Sequence, residues 1–309
     1  MTAPALAADA AAYPAAPPPS LTGWLVQAQQ RHADTAQAVA DGLLERVASL
    51  PADEDGAQAL GLAEHVWLAH LADPAGLAAL LARLPAGIGA AGGAVAQALA
   101  RSRWALALLA GGPLPALAAA PRWRALQNVV LALAHQGDCD RAASLLLADE
   151  TAAAAEGNSD AGRAYAACAN NVAQDLTAGA GRHAARDRLM LVAAGLSLRA
   201  WSRVGTWLHR ERAEYRLALC HAALGQGEAA LHHARLCLAG CQAGDGLRAA
   251  DGLEHFFAQE ALARAHHAAG DAAGRQAAAD RMREWLPAIA EDDGLRAWCA
   301  QALHDLPTD

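Results

Sequence analysis

The chain's densest group of metal- and proton-handling side chains is Cys220, His221, His232, His233, Cys237 and Cys241. His233, Cys237 and Cys241 recur every fourth residue, which puts them on one stripe of a helix. Adjacent members of the stripe can chelate a metal. Its outer two, however, lie about 12 Å apart along the axis, too far to share one ion. A metal centre would therefore need a ligand from another helix, and the alternative reading is a site built from His221, His233, Cys237 and His266. The expected reading is packing, because a buried cysteine behaves as a small hydrophobe. No HExxH, paired CxxC or Glu-x-x-His of the di-iron type occurs, and no cofactor is expected.

The second group is arginine. All 24 basic residues are arginine, and eight of them fall between 181 and 220 against three acids. These are Arg182, Arg186, Arg188, Arg199, Arg203, Arg210, Arg212 and Arg216, with Trp201 and Trp207 interleaved. Arginine makes bidentate contacts with carboxylate or phosphate and stacks on aromatic faces. Arg199, Arg203, Arg210, Arg212 and Arg216 are thus candidates for binding an anion or an acidic peptide. The competing reading pairs them with acids of the same protein, Glu211 and Glu214 among them. DNA binding is not expected, since no recognition motif accompanies the block and the net charge is −8. Asn170 and Asn171 join the candidates: an amide offers donor and acceptor together and can clamp a peptide backbone, or else bond within its own hairpin.

Catalytic signatures are missing. With no lysine in the chain, P-loop NTPases, Schiff-base enzymes and protein kinases are excluded. Gly-x-Ser-x-Gly is absent too. The remaining route to an enzyme is an acid–base pair among His209, Glu211, Glu214 and Glu254, which no motif supports.

The elements that must position these residues are helices. There are 89 alanines against two Ile, two Phe and three Tyr, a composition that favours closely approaching helices and disfavours sheet. An all-α protein is predicted. Ser20 or Thr22 is placed to cap a long helix to about Leu50, Asp53 the next through Trp67 to Leu71, and Asp73-Pro74 a third. Gly/Pro-rich breaks at 85–93 and 111–121 separate an irregular N-terminal half, residues 21–120, from a regular half, residues 121–309. Asp138-Cys139-Asp140 and Glu291-Asp292-Asp293 read as helix N-terminal acids. Most of the eight tryptophans read as core.

In the regular half, turns at Gly137-Asp138, Ala180-Gly181, Gly225-Gln226-Gly227 and Gly270-Asp271 recur at about 43, 45 and 45 residues. Each lies between two apolar-periodic helices, the signature of an α-solenoid whose hairpins bury their faces by stacking. Leu217-Ala218, Gly225, Ala230 and Cys237 fall at motif positions of one hairpin. Asn170-Asn171-Val172-Ala173 opens another, Gln127 to Leu147 holds Gly137-Asp138 and Ala142, and Gln259 to Arg283 keeps Leu262-Ala263 and Gly270-Asp271. Over residues 122–284 this pattern resembles the tetratricopeptide-repeat superfamily in its longer, kinesin-light-chain-like form. It departs at Val130 and Arg275, where small residues belong, and its period exceeds the usual ~34 residues. The resemblance implies a right-handed superhelix whose first helices line a concave groove for peptides or partner proteins. It further implies that Asn171 clamps a peptide backbone, that Cys237 is a small packing residue, and that His221 and His266 are packing rings.

Six scattered cysteines show no disulfide framework, and the sequence pI is near 5.9. Residues 1–20 carry no basic side chain and end in Pro17–Pro19, which reads as a disordered tail, not a secretory signal. The longest uncharged run after residue 30, Trp104 to Pro121, is broken by Gly111, Gly112, Pro113 and Pro115 before the about 20 residues a span requires. The sequence thus predicts a cytoplasmic, non-enzymatic interaction protein for a peptide or protein partner, acidic by charge complementarity, or for an anionic ligand, without membrane contact. A helical metal protein and a helical enzyme are the alternatives, and oligomeric state is left open.

Overall fold

The computed structural model describes residues 20–90, 92–179, 181–244, 252–291 and 294–308. The expected disordered tail lies outside them apart from Ser20, as do Asp292 and Asp293 of the second acidic trio. Among the described residues the fold is all-α and solenoid-like, with consecutive helices packing on their neighbours and no strand.

The chain opens with α1 (Leu21–Arg31) and α2 (Ala36–Arg46), then α3 (Glu54–His65), α4 (Pro74–Ala82) and α5 (Gly93–Ala110). Ser20, Asp53 and Asp73 cap α1, α3 and α4 by accepting the backbone N–H of Gly23, Gly56 and Gly76. The expected long helix to Leu50 is instead a hairpin, broken at residues 32–35. Its halves fold together because the Trp24 ring lies against Gly42, where a Cβ would sit 2.6 Å from it. A 3₁₀ turn over Val47–Ser49 ends α2 before Pro51. The helix capped by Asp53 does run on past α3, as a π-helical turn over Val66–His70. There Leu71 N–H reaches the Val66 carbonyl at 3.0 Å and Asp73 N–H reaches that of Trp67 at 2.8 Å.

Four hairpins follow: α6 (Ala119–His135) with α7 (Cys139–Ala155), α8 (Asp160–Ala178) with α9 (Ala184–Val204), α10 (Trp207–Ala223) with α11 (Gly227–Gly244), and α12 (Gly252–Ala268) with α13 (Ala272–Trp285). A short α14 (Leu295–His304) closes the described chain. The expected turns fall between these helix pairs, Ala180 of the second lying outside the described residues. Gly137, Gly181, Gly225 and Gly270 all have positive φ, between 68° and 85°, while Asp138 and Asp271 cap the helices that follow. First helices α6, α8, α10 and α12 pack in succession.

One apolar core runs from Leu25 to Cys220 and crosses the non-helical stretch after Gly111, so α6 seats on α5 and on the π turn as well as on its own hairpin. Beyond it the packing surface thins to alanine: Ala218, Ala230, Ala234, Ala261 and Ala265 form a fully buried cluster where α10, α11 and α12 touch. No helix among the described residues is long and apolar enough to cross a membrane.

Candidate functional site

A cavity of about 480 Å³ lies across the first helices α8, α10 and α12, with Trp298 of α14 at its rim. Asn170, Gln174 and Thr177 face it from α8. From α10 come Glu211, Arg212, Tyr215 and Arg216, and from α12 Glu254 and Phe257. An aromatic wall forms one side: the Phe257 ring stands 5.7 Å from Tyr215 and 5.2 Å from Trp298. Trp298, unlike the buried Trp67, Trp104 and Trp123, is 58% exposed and departs from the core role expected of most tryptophans.

The polar side of this cavity is a charge network. Arg212 pairs with Glu254, while Tyr215 donates to Glu260 (2.8 Å), which also receives Arg264 (2.8 Å). Glu211 is 2% exposed; Cys237 Sγ–H donates to its Oε1 at 2.7 Å, and its Oε2 has no partner. Burial pushes the Glu211 carboxyl up to about 7, the Cys237 hydrogen bond opposes this, and the neighbouring Glu254 adds to it. Arg216 donates through Nη2 to Gln174 (2.8 Å) and lies 5.8 Å from the Tyr215 ring centre, yet its buried Nε is orphaned. It makes no ion pair within 4.0 Å among the described residues. Its charge is felt by Asp175, whose carboxyl burial raises to about 6.

The other candidates separate. Arg199 and Arg203 leave α9 toward the second helix α7 and close on Glu150, Arg199 at 2.7 Å and Arg203 at 3.4 Å. Arg182 and Arg188 pair with Asp187 and Asp140, and Arg210 is exposed on α10. The acids that take these cations are thus mostly not the nearby Glu211 and Glu214. Asn170 faces the cavity, whereas Asn171 donates to Gln127 of α6 (3.0 Å) and lines a separate depression there.

The Cys/His stripe is dispersed among partners of its own. His221 Nδ1 meets Gln226 (2.6 Å), His233 Nδ1 meets Glu214 (2.7 Å), His266 Nδ1 meets Asp271 (2.8 Å), and Cys237 is bound to Glu211. His221 and His233 stack at 5.3 Å. His209 stacks on Trp201 at 4.4 Å and bonds Thr206, so of the residues considered for acid–base chemistry only Glu211 and Glu254 meet.

A cluster not singled out in the sequence lies in the N-terminal half. His32 directly after α1, His65 at the end of α3 and His70 in the π turn each bring one ring nitrogen to a common point, all within 4.8 Å of one another. His65 Nε2 and His70 Nε2 are 3.2 Å apart. Behind His65 stands a fully buried Glu64, held by Arg101 (3.1 Å), Ser102 (3.1 Å) and Asn128 (2.9 Å). Burial lowers both imidazoles, against the Asn128 hydrogen bond for His65, and takes His70 down to about 4, so both are neutral at pH 7. The spacing hid this group: positions five apart lie about 140° around an α-helix, and only a π turn brings them to one side. No protein-family model, curated protein or solved structure matches the chain.

Proposed function

We propose that the chain is a tetratricopeptide-like interaction protein that holds a partner segment in the cavity across α8, α10 and α12. The segment would place a carboxylate against Arg216 and an apolar or aromatic side chain against Phe257 and Trp298. The observation that carries this reading is the pairing, in one concave site, of an exposed aromatic rim with an arginine whose buried Nε has no hydrogen-bond partner among the described residues. Concave, mostly apolar sites with a few convergent polar groups are where ligands bind, and arginine and tryptophan dominate binding energies. Arg199 and Arg203, which share the carboxylate of Glu150, contribute little to the partner.

Selection from a random peptide library on the immobilised protein tests this. Enriched peptides should combine acidic and aromatic residues, and Arg216→Glu should weaken them at least about 10-fold, about 1.4 kcal/mol. Arg199→Glu should change affinity less than about 2-fold. Enriched peptides that bind Arg216→Glu as tightly as the parent, or no enrichment at all, would sink the proposal.

The Glu211–Glu254 contact favours a second reading, because a carboxyl raised to about 7 inside a cavity suits general acid–base chemistry. A substrate turned over by the parent and not by Glu211→Gln, with peptide binding intact, would establish it. A screen across hydrolase and transferase substrates that finds no turnover would remove it.

A further inference from the structure

The three histidines in the N-terminal half are arranged as metal ligands. Their rings meet edge to face, with centroids 4.8 to 5.1 Å apart, His32 coming from the end of α1 and the other two from the helix that runs through α3 into the π turn. Hydrogen bonding fixes where their protons sit. Glu64 accepts from Asn128 Nδ2, so the Asn128 oxygen faces His65 Nδ1 at 2.9 Å and can only accept. His65 therefore carries its proton on Nδ1 and turns a bare Nε2 lone pair inward. The same logic holds for His32, whose Nδ1 donates to the Gln29 carbonyl at 2.6 Å. His65 thus meets His70 with a bare lone pair, and at most the one proton of His70 Nε2 lies between them.

We propose that His32, His65 and His70 bind one divalent transition-metal ion of the zinc class, with a fourth position open to water or an anion. A pocket rich in acceptors and short of protons is the complement of a cation. His70 Nε2 and His65 Nε2, hydrogen-bonded at 3.2 Å, already stand near the ligand–ligand edge of about 3.3 Å that a tetrahedron of 2.0–2.1 Å bonds requires, so an ion would replace the one proton between them. Three imidazoles without thiolate or carboxylate exclude the oxygen-seeking calcium and magnesium, and suit zinc, cobalt, nickel or copper. Among the described residues no fourth His, Cys, Asp or Glu joins the set, and three histidines with one open position is an arrangement that keeps zinc accessible to a further ligand. The His65–Asn128–Glu64 relay is the outer support that metal-bound histidines require. A cavity of about 540 Å³ reaches His65, with Arg124 and Glu54 on its wall beside the Glu64-paired Arg101, and gives a further ligand a way in.

The test is titration of the full-length, chelator-treated protein with Co²⁺, then competition by Zn²⁺. About one equivalent should bind and give the visible bands of four-coordinate cobalt, which zinc should abolish. His70→Gln and His32→Ala should each weaken binding at least about 10-fold. His32 sits at a helix end and is half-buried, so His32→Ala should keep the parent circular dichroism. His233→Ala and Cys237→Ala should bind like the parent. Less than about a tenth of an equivalent on the parent would overturn the assignment. So would parent-like titration of both His32→Ala and His70→Gln, or loss of the ion in His233→Ala or Cys237→Ala.

Discussion

The groove across α8–α12 and the histidine cluster between α1 and the π turn are both polar sites over buried carboxylates, built by opposite means. The groove arises from repetition: equivalent first helices, joined by turns at near-constant spacing, lay Asn170, Arg212, Arg216 and Glu254 along one face. The histidine cluster arises where regularity fails, at a helix that ends just before His32 and a helix widened at Val66–His70. Repetition spreads side chains along a surface suited to an extended partner. An irregular turn aims several side chains at one point, as a single ion requires. The difference is between a surface and a centre, and their buried carboxylates can be used to separate them.

The largest expected effect is on Glu64. It accepts from Arg101, Ser102 and Asn128 at full burial, and truncation takes that acceptor away, leaving Ser102 only the Ala98 carbonyl. Glu64→Ala should lose about 3–5 kcal/mol in urea denaturation, the usual cost of breaking a buried charged network. At a temperature where the variant remains folded it should also bind cobalt more weakly, since Asn128 no longer holds the His65 proton on Nδ1. Peptide binding in the groove should be unchanged. If groove affinity falls together with metal affinity, the two regions are coupled and the comparison fails.

Glu211 behaves in the opposite sense. Its carboxyl is raised from an ordinary 4.5 to about 7, so the unfolded chain gives up the proton first as pH rises. Below pH 4.5 both states are protonated and the group has no effect on stability. Between 4.5 and 7 the folded state loses stability steadily, and above 7 the loss is complete. Glu211→Gln removes that loss. It should stabilise the protein by about 1–3 kcal/mol at pH 8 and by nothing at pH 4, measured as the urea midpoint against pH. A gain equal at both pH values would show that burial of Glu211 is not what strains this wall.

How much of this was legible in the sequence follows the same division. Asp53, Asp73, Asp138 and Asp271 act on backbone three residues ahead, so their caps can be read locally. The four hairpin turns were legible from their glycines, and the alanine count foretold the all-alanine contact of α10, α11 and α12. The break after His32 was not, because residues 32–35 contain neither Gly nor Pro; the hairpin is held from a distance, by Trp24 on Gly42. The sequence also did not show which acid each arginine meets. Glu150, which takes Arg199 and Arg203, stands 49 and 53 residues away from them. The histidine cluster needed both kinds of hidden information, a π turn within the chain and a contact across it. Proximity along the chain pointed instead to His221, His233, Cys237 and His266, each of which the fold gives to a hydrogen-bond partner of its own.

The smallest expected effect tests regularity against irregularity directly. The backbone leaves the π turn through Ala72 at φ 49°, the one non-glycine residue with positive φ among those described, while the repeat half gives that conformation to Gly137, Gly181, Gly225 and Gly270. A Cβ there costs about 1 kcal/mol, and glycine in its place returns part of that gain through the entropy of a freer unfolded chain. Ala72→Gly should therefore stabilise the protein by about 0.5 kcal/mol, and Gly225→Ala should destabilise it by about 1 kcal/mol, read as opposite shifts of the urea midpoint at constant slope. Strain beside metal ligands persists where the surroundings enforce it. Cobalt affinity should accordingly fall slightly in Ala72→Gly, as the exit from the turn loosens, and stay at the parent value in Gly225→Ala. If Ala72→Gly instead destabilises, packing of the Ala72 methyl outweighs its strain, and the turn is held by its core contacts and not by the backbone.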